Sequence, residues 1–199
     1  MSEHAQKVYL IRHGATEWSI SGKHTGLTDL PLIDEGRRNA EQLRPYLGEI
    51  DFARVMTSPL KRARETCELA GLCEGAEEDA DLVEWNYGDY EGVTTDEIHK
   101  DHPSWMVFTD GCPNGEMPAD VGRRVDRVIA KVQAIEGNIA LFAHGHVLRV
   151  LAARWAELTP EDGRHFKLDT STISVLGHYH RSPAIVTWNA PLPADTGDG

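Results

Sequence analysis

The sequence predicts an α/β fold with three layers, in which helices cover both faces of a mostly parallel sheet. Three observations favour this fold. Short apolar runs alternate with longer stretches of helical periodicity, glycines follow two of those stretches, and one aperiodic segment interrupts the pattern. Because parallel strands place their carboxyl ends at one edge of the sheet, we expect the functional site beyond that edge.

Five short apolar runs predict the strands of this sheet. Each is rich in β-branched or aliphatic residues and stops at polar or turn-forming residues. The predicted strands are Lys7–Ile11, Arg54–Thr57, Asn138–Ala143, Thr172–Leu176 and Ala184–Trp188.

Four stretches between these strands predict helices. Acidic residues open the first, Gly71 follows the second, and the third has Pro118 near its start and Gly137 after its end. The predicted helices are Asp34–Leu47, Leu60–Ala70, Met117–Ile135 and Val147–Trp155.

Length and local composition predict one domain over residues 1–190. A chain of 199 residues with 40% hydrophobic content is sufficient for a single core. Residues 89–116 mix aromatic residues with proline and glycine, and we interpret them as a small insertion that caps the sheet edge. Residues 191–199 are rich in proline, glycine and aspartate and predict a disordered tail.

Composition argues against several classes of protein. No apolar run reaches the roughly 18 residues that a membrane span requires, and the N-terminus lacks a signal-peptide hydrophobic region, so we expect a cytoplasmic protein. The formal net charge is −12 and no basic stripe is present, which argues against nucleic acid as a partner. The scattered Cys67, Cys73 and Cys112 predict reduced thiols.

Arg12-His13-Gly14 follows the first predicted strand and is the most informative motif of the chain. The Arg12 guanidinium offers a fork of donors that matches phosphate oxygens. The His13 ring can act as a neutral nucleophile near pH 7, and Gly14 lets the backbone approach a ligand closely. This arrangement at a strand end is typical of phosphate handling.

Two other strand ends carry related chemistry. Arg62 lies in the first turn of the second predicted helix, where free N–H groups and the helix dipole favour an anion. His144 and Gly145 follow the third predicted strand and repeat the order of a histidine and a glycine. A metal held by His144 and His146 is the alternative interpretation, but further ligands do not stand out and we expect no metal.

A fourth segment, residues 82–92, places carboxylates beside aromatic residues. Glu84 follows an apolar pair and precedes Trp85, so partial desolvation makes it a candidate general acid. The alternative interpretation is that Glu84, Asp89 and Glu91 are plain surface acids.

These motifs together resemble the histidine phosphatase superfamily, whose fold is that of the phosphoglycerate mutases. The resemblance covers residues 7–188, and its motifs occur in the order of the family. The residues that carry it are Arg12-His13-Gly14, Arg62, Glu84 and His144-Gly145.

The resemblance implies a mechanism without metal or cofactor. His13 would attack phosphorus and become a phosphohistidine, and Arg12, Arg62 and His144 would bind the phosphoryl oxygens. Glu84 would protonate the leaving oxygen and then activate water.

Two departures from the mutases of this family favour a phosphatase. Residues 65–122 contain Lys100 as their single cation, which leaves little to hold a small anionic glycerate. Ser19 follows Trp18, where the mutases carry asparagine. A mutase and a phosphoprotein phosphatase are the alternative activities.

Longer strings resemble the sedoheptulose-1,7-bisphosphatase branch of the family and imply a sugar phosphate substrate. Thr25, Gly26, Tyr87 and Gly145 would then belong to the substrate pocket, while Arg149 would either reach a second phosphate or only brace the sheet edge. The expected partner is a small phosphate ester, and a homodimer is left open. The matching strings are residues 16–19, 25–32, 84–92, 110–116 and 142–149.

Overall fold

A six-stranded mixed sheet forms the centre of the computed structural model, which describes residues 6–191. In space the strands follow the order β3-β2-β4-β1-β5-β6. The first four are parallel to one another, whereas β5 is antiparallel to β1 and β6 is antiparallel to β5. The strands are β1 (Val8–Arg12), β2 (Phe52–Thr57), β3 (Glu77–Glu78), β4 (Asn138–Ala143), β5 (Ile173–Tyr179) and β6 (Ser182–Ala190).

Eight α-helices connect or follow these strands in the described part of the chain. They are α1 (Glu17–Ser21), α2 (Asp34–Glu41), α3 (Arg44–Leu47), α4 (Lys61–Leu69), α5 (Thr95–Asp101), α6 (Val107–Asp110), α7 (Pro118–Gln133) and α8 (Gly145–Trp155). Short 3₁₀ helices occupy Ala80–Leu82, Gly88–Tyr90 and Pro160–His165.

Helices cover both faces of the sheet because successive strand residues point to opposite sides. On one face, Val8 and Leu10 of β1 join a buried cluster with apolar residues of α7 and α8. On the other face, Ile11 joins Leu47 of α3 and Cys67 of α4. This three-layer arrangement confirms the predicted fold class.

The predicted strands are all present, with bounds shifted by a few residues, and α4, α7 and α8 confirm three of the predicted helices. A single helix over Asp34–Leu47 is wrong, because α2 ends at Glu41 and α3 begins at Arg44. Pro45 explains the break, since proline lacks the N–H that would donate to the Glu41 carbonyl in a continuing helix.

The segment 89–116 contains α5 and α6, which the apolar pattern does not predict. A capping box explains α5, because Thr94 and Glu97 exchange hydrogen bonds between their side chains and backbone N–H groups. Trp105 and Phe108 bury their rings in the cluster that also holds α8. The interpretation of the segment as a cap stays a prediction.

Within residues 6–191, none of the helices combines the length and the hydropathy that crossing a bilayer requires. Residues 192–199, where the sequence predicts a disordered tail, lie outside the described residues.

Candidate active site

The carboxyl ends of β1, β2 and β4 meet at one edge of the sheet, where the sequence places the site. Two backbone hydrogen bonds extend the parallel pairing past the strand ends. His13 N–H donates to the Ala143 carbonyl at 3.0 Å, and Ser58 N–H donates to the Phe142 carbonyl at 2.9 Å. These bonds fix the residues that follow the three strands relative to one another.

A cavity of about 270 Å³ opens at this edge and is large enough for a small organic molecule. Seven residues named from the sequence line it: Arg12, His13, Thr25, Glu84, Tyr87, Gly145 and Arg149. The other three, Gly26, Arg62 and His144, do not line it. Gly26 follows the lining residue Thr25, Arg62 donates to the Thr25 carbonyl, and the His144 ring lies 5.2 Å from the His13 ring.

His13 is buried at the end of β1 with its ring held in one orientation. Its Nδ1 lies 2.7 Å from the Gly14 carbonyl oxygen, which can only accept, so Nδ1 carries the proton. Nε2 makes no hydrogen bond with the described residues. Burial and the positive charges of Arg62 and Arg12 lower the pKa of His13 well below its usual value, against the opposing effect of the Gly14 carbonyl. The ring is therefore neutral at pH 7, with the Nε2 lone pair available.

Gly14 packs against the chain rather than leaving room for a ligand. A Cβ at this position would lie 2.5 Å from the Gly36 carbonyl oxygen at the start of α2. The Gly14 N–H also donates to Thr66 Oγ1 of α4 at 3.0 Å. The glycine is thus required so that α2 can lie close to His13, not because of an approaching ligand as its position in the motif suggests.

Arg12 places a buried donor beside the His13 ring. Its Nη1 donates to the Leu168 carbonyl, whereas its Nε is buried without a hydrogen-bond partner among residues 6–191. A Cβ at Gly145 would lie 3.2 Å from the guanidinium carbon, so a larger residue where α8 begins would displace the Arg12 side chain. A buried unpaired guanidinium N–H is a strong site for an anion.

Glu84 is 4% exposed and lies at the N-terminus of α8. Its Oε1 accepts hydrogen bonds from the Trp85 and Val147 N–H groups at 2.9 Å, and Oε2 accepts one from His146 N–H at 3.0 Å. The alternative interpretation of Glu84 as a plain surface acid is therefore wrong.

Arg62 is fully buried and connects α4 to the loop that follows α1. Its Nε donates to His144 Nδ1 at 3.0 Å, and Nη1 donates to the Thr28 carbonyl at 3.0 Å. Nη2 donates to the carbonyls of Thr25 and Gly26 at 3.1 and 2.8 Å. Contact of Arg62 with phosphoryl oxygens stays a prediction.

His144 is also bonded to protein groups through both ring nitrogens. Because Nδ1 accepts from Arg62, the proton resides on Nε2, which donates to Ser58 Oγ at 2.8 Å. Burial and the Arg62 charge lower the pKa of His144 well below its usual value. His146, the partner in the alternative metal site, is bonded instead to the Tyr87 hydroxyl. In the described part of the chain, no group of three His, Cys, Asp or Glu residues could hold a metal ion.

Arg149 braces a different element from the one that the sequence suggests, and its contact with a second phosphate stays a prediction. Its Nε and Nη2 donate to the carbonyls of Gly163 and Arg164 at 3.1 Å, so it braces the 3₁₀ helix Pro160–His165 rather than the sheet edge. Its guanidinium lies 4.4 Å from the centre of the Phe108 ring and also lines the cavity.

Two histidines in the cavity wall, the buried His24 and the partly buried His146, are not singled out by the sequence motifs as substrate-contacting residues. The His24 ring lies 4.7 Å from the Tyr87 ring and 5.5 Å from the Trp105 ring, and the His146 ring lies 5.8 Å from the Tyr87 ring and 6.2 Å from the His24 ring. Burial lowers the pKa of His24 to about 4, although the Glu91 carboxylate opposes the shift. Burial and the Arg149 charge lower the pKa of His146 well below its usual value.

The low pKa of His24 predicts a loss of stability in mild acid. Between its ordinary value of 6.5 and about 4, the unfolded chain binds a proton at His24 that the folded chain does not, so the free energy of unfolding falls as the pH falls. Protonation of His24 contributes about 3 kcal/mol to this fall in the free energy of unfolding. In urea unfolding at pH 7, 5.5 and 4.5, His24→Gln should therefore show a shallower pH dependence than wild type. If the free energy of unfolding has the same pH dependence in both proteins, the low pKa of His24 is wrong.

Fold and site together define an α/β phosphoryl-transfer enzyme, because a neutral buried histidine and an unpaired arginine donor share a cavity at the carboxyl edge of a parallel sheet. The chain belongs to the histidine phosphatase superfamily: the model of the histidine phosphatase superfamily (branch 1) matches residues 8–191. This confirms the resemblance seen in the sequence.

Relatives of known name agree with this membership. An acid phosphatase of Mycobacterium tuberculosis is 40% identical over 178 residues, 87% of each chain. The sedoheptulose 1,7-bisphosphatase of Saccharomyces cerevisiae is 40% identical over 179 residues, 73% of this chain and 66% of the yeast protein. A solved structure of a Mycobacterium tuberculosis open reading frame product superposes with a TM-score of 0.90 and 36% identity, covering 96% of this chain and 99% of the other. The chain is a phosphatase of this superfamily.

Proposed function

We propose that the chain is a metal-independent phosphatase that hydrolyses a small sugar phosphate, with a sugar bisphosphate such as sedoheptulose 1,7-bisphosphate as the preferred substrate. The neutral His13 ring carries this proposal. Its Nδ1–H is held by the Gly14 carbonyl and its Nε2 is free, beside the unpaired Arg12 Nε and in the same cavity as Glu84. A nucleophile, an anion-binding donor and an acid thus share one small space.

In the first step, the His13 Nε2 lone pair attacks phosphorus, and a nitrogen–phosphorus bond forms while the ester phosphorus–oxygen bond breaks. Glu84 gives a proton to the leaving oxygen, so that the sugar departs as a neutral alcohol. Arg12 binds the phosphoryl oxygens, and the charge of Arg62 together with the oriented ring of His144 stabilises the charge that spreads over them.

In the second step, Glu84 accepts a proton from water as the water oxygen attacks phosphorus. The nitrogen–phosphorus bond breaks, the electron pair returns to His13, and inorganic phosphate is released. The Gly14 carbonyl holds the same tautomer of His13 through both steps, so the ring needs no reorientation. Arginine side chains supply the positive charge that a metal ion supplies in other phosphatases.

The far wall of the cavity supports a sugar bisphosphate as substrate. Tyr87, His24 and His146 present hydroxyl and neutral imidazole groups, which form hydrogen bonds with sugar hydroxyls without attracting further anions. Arg149 adds a cation away from His13, where a second phosphate can bind. The sugar bisphosphatase activity named for the yeast relative agrees with this arrangement.

Phosphate release in EDTA from a panel of esters tests the proposal. The panel contains sedoheptulose 1,7-bisphosphate, fructose 1,6-bisphosphate, 3-phosphoglycerate and nitrophenyl phosphate. We expect release that survives EDTA and is fastest for the sugar bisphosphates. Release that EDTA abolishes contradicts the metal-independent mechanism. Phosphoryl transfer between glycerates without release supports a mutase, and activity confined to phosphorylated proteins supports a phosphoprotein phosphatase.

Arg149→Ala is expected to lower the kcat/KM of bisphosphates more than that of monophosphates. Loss of one charge-assisted contact to a second phosphate lowers kcat/KM for the bisphosphates by about 10- to 100-fold, while the value for nitrophenyl phosphate changes much less. Arg154→Ala is the matched control, since Arg154 lies on the same helix and pairs with Asp126 away from the cavity. An equal loss for both substrate classes assigns Arg149 only its bracing of residues 160–165.

A further inference from the structure

Glu91 binds the backbone of the loop that follows α1. Its Oε1 accepts the Gly26 N–H at 2.9 Å and the Thr28 N–H at 3.1 Å, and its Oε2 accepts the Gly26 N–H at 3.1 Å. The interpretation of Glu91 as a plain surface acid is therefore wrong. Two backbone donors converge on one carboxylate, which is the strong, charge-assisted form of this bond.

The same loop is held from its other side by Arg62. The guanidinium of Arg62 binds the carbonyls of Thr25, Gly26 and Thr28, whereas Glu91 binds the N–H groups of Gly26 and Thr28. An anion and a cation thus clamp four residues of loop between them. Neither charged group contacts the other directly, so the loop backbone connects them.

Backbone hydrogen bonds join the clamped loop to the segment that carries Glu91. The Gly92 N–H donates to the His24 carbonyl at 2.8 Å, and the His24 N–H donates to the Val93 carbonyl at 2.9 Å. Lys23 and Thr94 form an isolated β-bridge next to them. The cavity-wall residues His24 and Thr25 are therefore positioned by contacts with residues 91–94.

The loop lies so close to residues 85–91 that only glycine fits at position 26. A Cβ at Gly26 would lie 2.5 Å from the Trp85 carbonyl oxygen, 2.6 Å from Glu91 Oε2 and 3.0 Å from the Tyr87 ring. Movement of the loop away from Glu91 breaks the hydrogen bonds to its carboxylate. The carboxylate thus holds the loop close to the Tyr87 side of the cavity.

We propose that Glu91 is a positioning residue for substrate binding: its carboxylate fixes the loop of residues 25–28, and with it the cavity wall formed by His24 and Thr25. This inference rests on the proposed function of the cavity. Glu91 is not itself a lining residue and acts through the loop backbone.

Glu91→Gln tests this role with almost no change in side-chain size. Glutamine has one acceptor oxygen and an NH₂ group, so the position of Oε2 becomes a donor that faces the Gly26 N–H. Amide hydrogen exchange at Gly26 and Thr28, measured by NMR, should become about tenfold faster or more, as expected for a lost hydrogen bond to a charged group. KM for the preferred sugar phosphate should rise about tenfold, with kcat changed less than about threefold.

Glu65→Gln is the matched control. Glu65 also accepts a backbone N–H from the chain after α1, that of Leu32, at 3.0 Å, and it pairs with Arg37. We expect it to leave KM and the exchange at Gly26 and Thr28 unchanged.

Two results overturn the proposal. The first is wild-type exchange at Gly26 and Thr28 in Glu91→Gln, which shows that the carboxylate does not hold the loop. The second is faster exchange with an unchanged KM, or a fall in kcat and melting temperature alone, which leaves Glu91 a purely structural role. If the wild-type protein hydrolyses no ester, the proposed function fails, while the exchange data still decide whether Glu91 fixes the loop.

Discussion

Replacement of His13 by alanine is expected to abolish turnover of every ester that the wild-type protein hydrolyses, with a loss of at least about 10⁴-fold in kcat. Three other imidazoles lie in or next to the cavity wall, and each has a hydrogen bond to a protein group, that of His24 being to the Thr95 hydroxyl. Both nitrogens of His144 are bonded to protein groups, and His146 Nδ1 is bonded to the Tyr87 hydroxyl. Initial rates of phosphate release measure the effect, and His178→Ala, which changes an exposed histidine on β5, is the control.

A second measurement separates the nucleophile from a residue that only binds phosphate. Rapid quenching of wild-type protein with labelled substrate should trap label on protein in an acid-labile, base-stable form, and the His13→Ala variant should trap none. If the variant keeps more than about 1% of the wild-type rate, the phosphohistidine mechanism is wrong and direct attack by water takes its place.

Glu84→Gln is expected to slow esters with poor leaving groups by about 10²- to 10⁴-fold, the range of general acid catalysis. Sugar phosphates release a strongly basic alkoxide unless it is protonated, so they depend on the acid. Nitrophenyl phosphate releases a stabilised phenolate and should be slowed much less. Steady-state kcat for the two ester types measures the difference.

The comparison between the two esters is essential because the Glu84 carboxylate also accepts three backbone N–H groups. Glutamine disturbs those bonds for every substrate, so the disturbance cancels in the ratio of the two rates. Asp89→Asn is the matched control, since Asp89 belongs to the same segment and bonds only the exposed Asn114 side chain. Equal slowing of both esters removes Glu84 as the acid.

The residues closest to the proposed chemistry could be predicted from the sequence because each lies in a local motif at the end of a strand. Arg12 and His13 follow one apolar run, and His144 and Gly145 follow another, so parallel pairing alone brings them together. Arg62 was located by the same reasoning at the start of α4. Local periodicity and the pairing of parallel strands are therefore sufficient to predict where these residues lie.

The cavity wall could not be predicted in the same way. His24, His146 and Glu91 acquire their surroundings from contacts between segments that lie far apart in the chain, and no spacing in the sequence encodes those contacts. Glu91 meets Gly26 across 65 positions, and Tyr87 meets His146 across 59. The Thr94–Glu97 capping box is the exception, because it is a local signal that predicts α5.

The parallel pairing of β1 with β4 also bears on how the protein acquires activity as it folds. Val8 pairs with Ile139, and Arg12 pairs with Ala143, so this pair of strands joins residues that are 131 positions apart in the chain. Such non-local contacts carry a large entropy of loop closure and slow the folding of a domain. His13 and His144 therefore come together only after β4 has been synthesised and has paired with β1, and a nascent or truncated chain that ends before β4 contains His13 without the strand that brings His144 next to it.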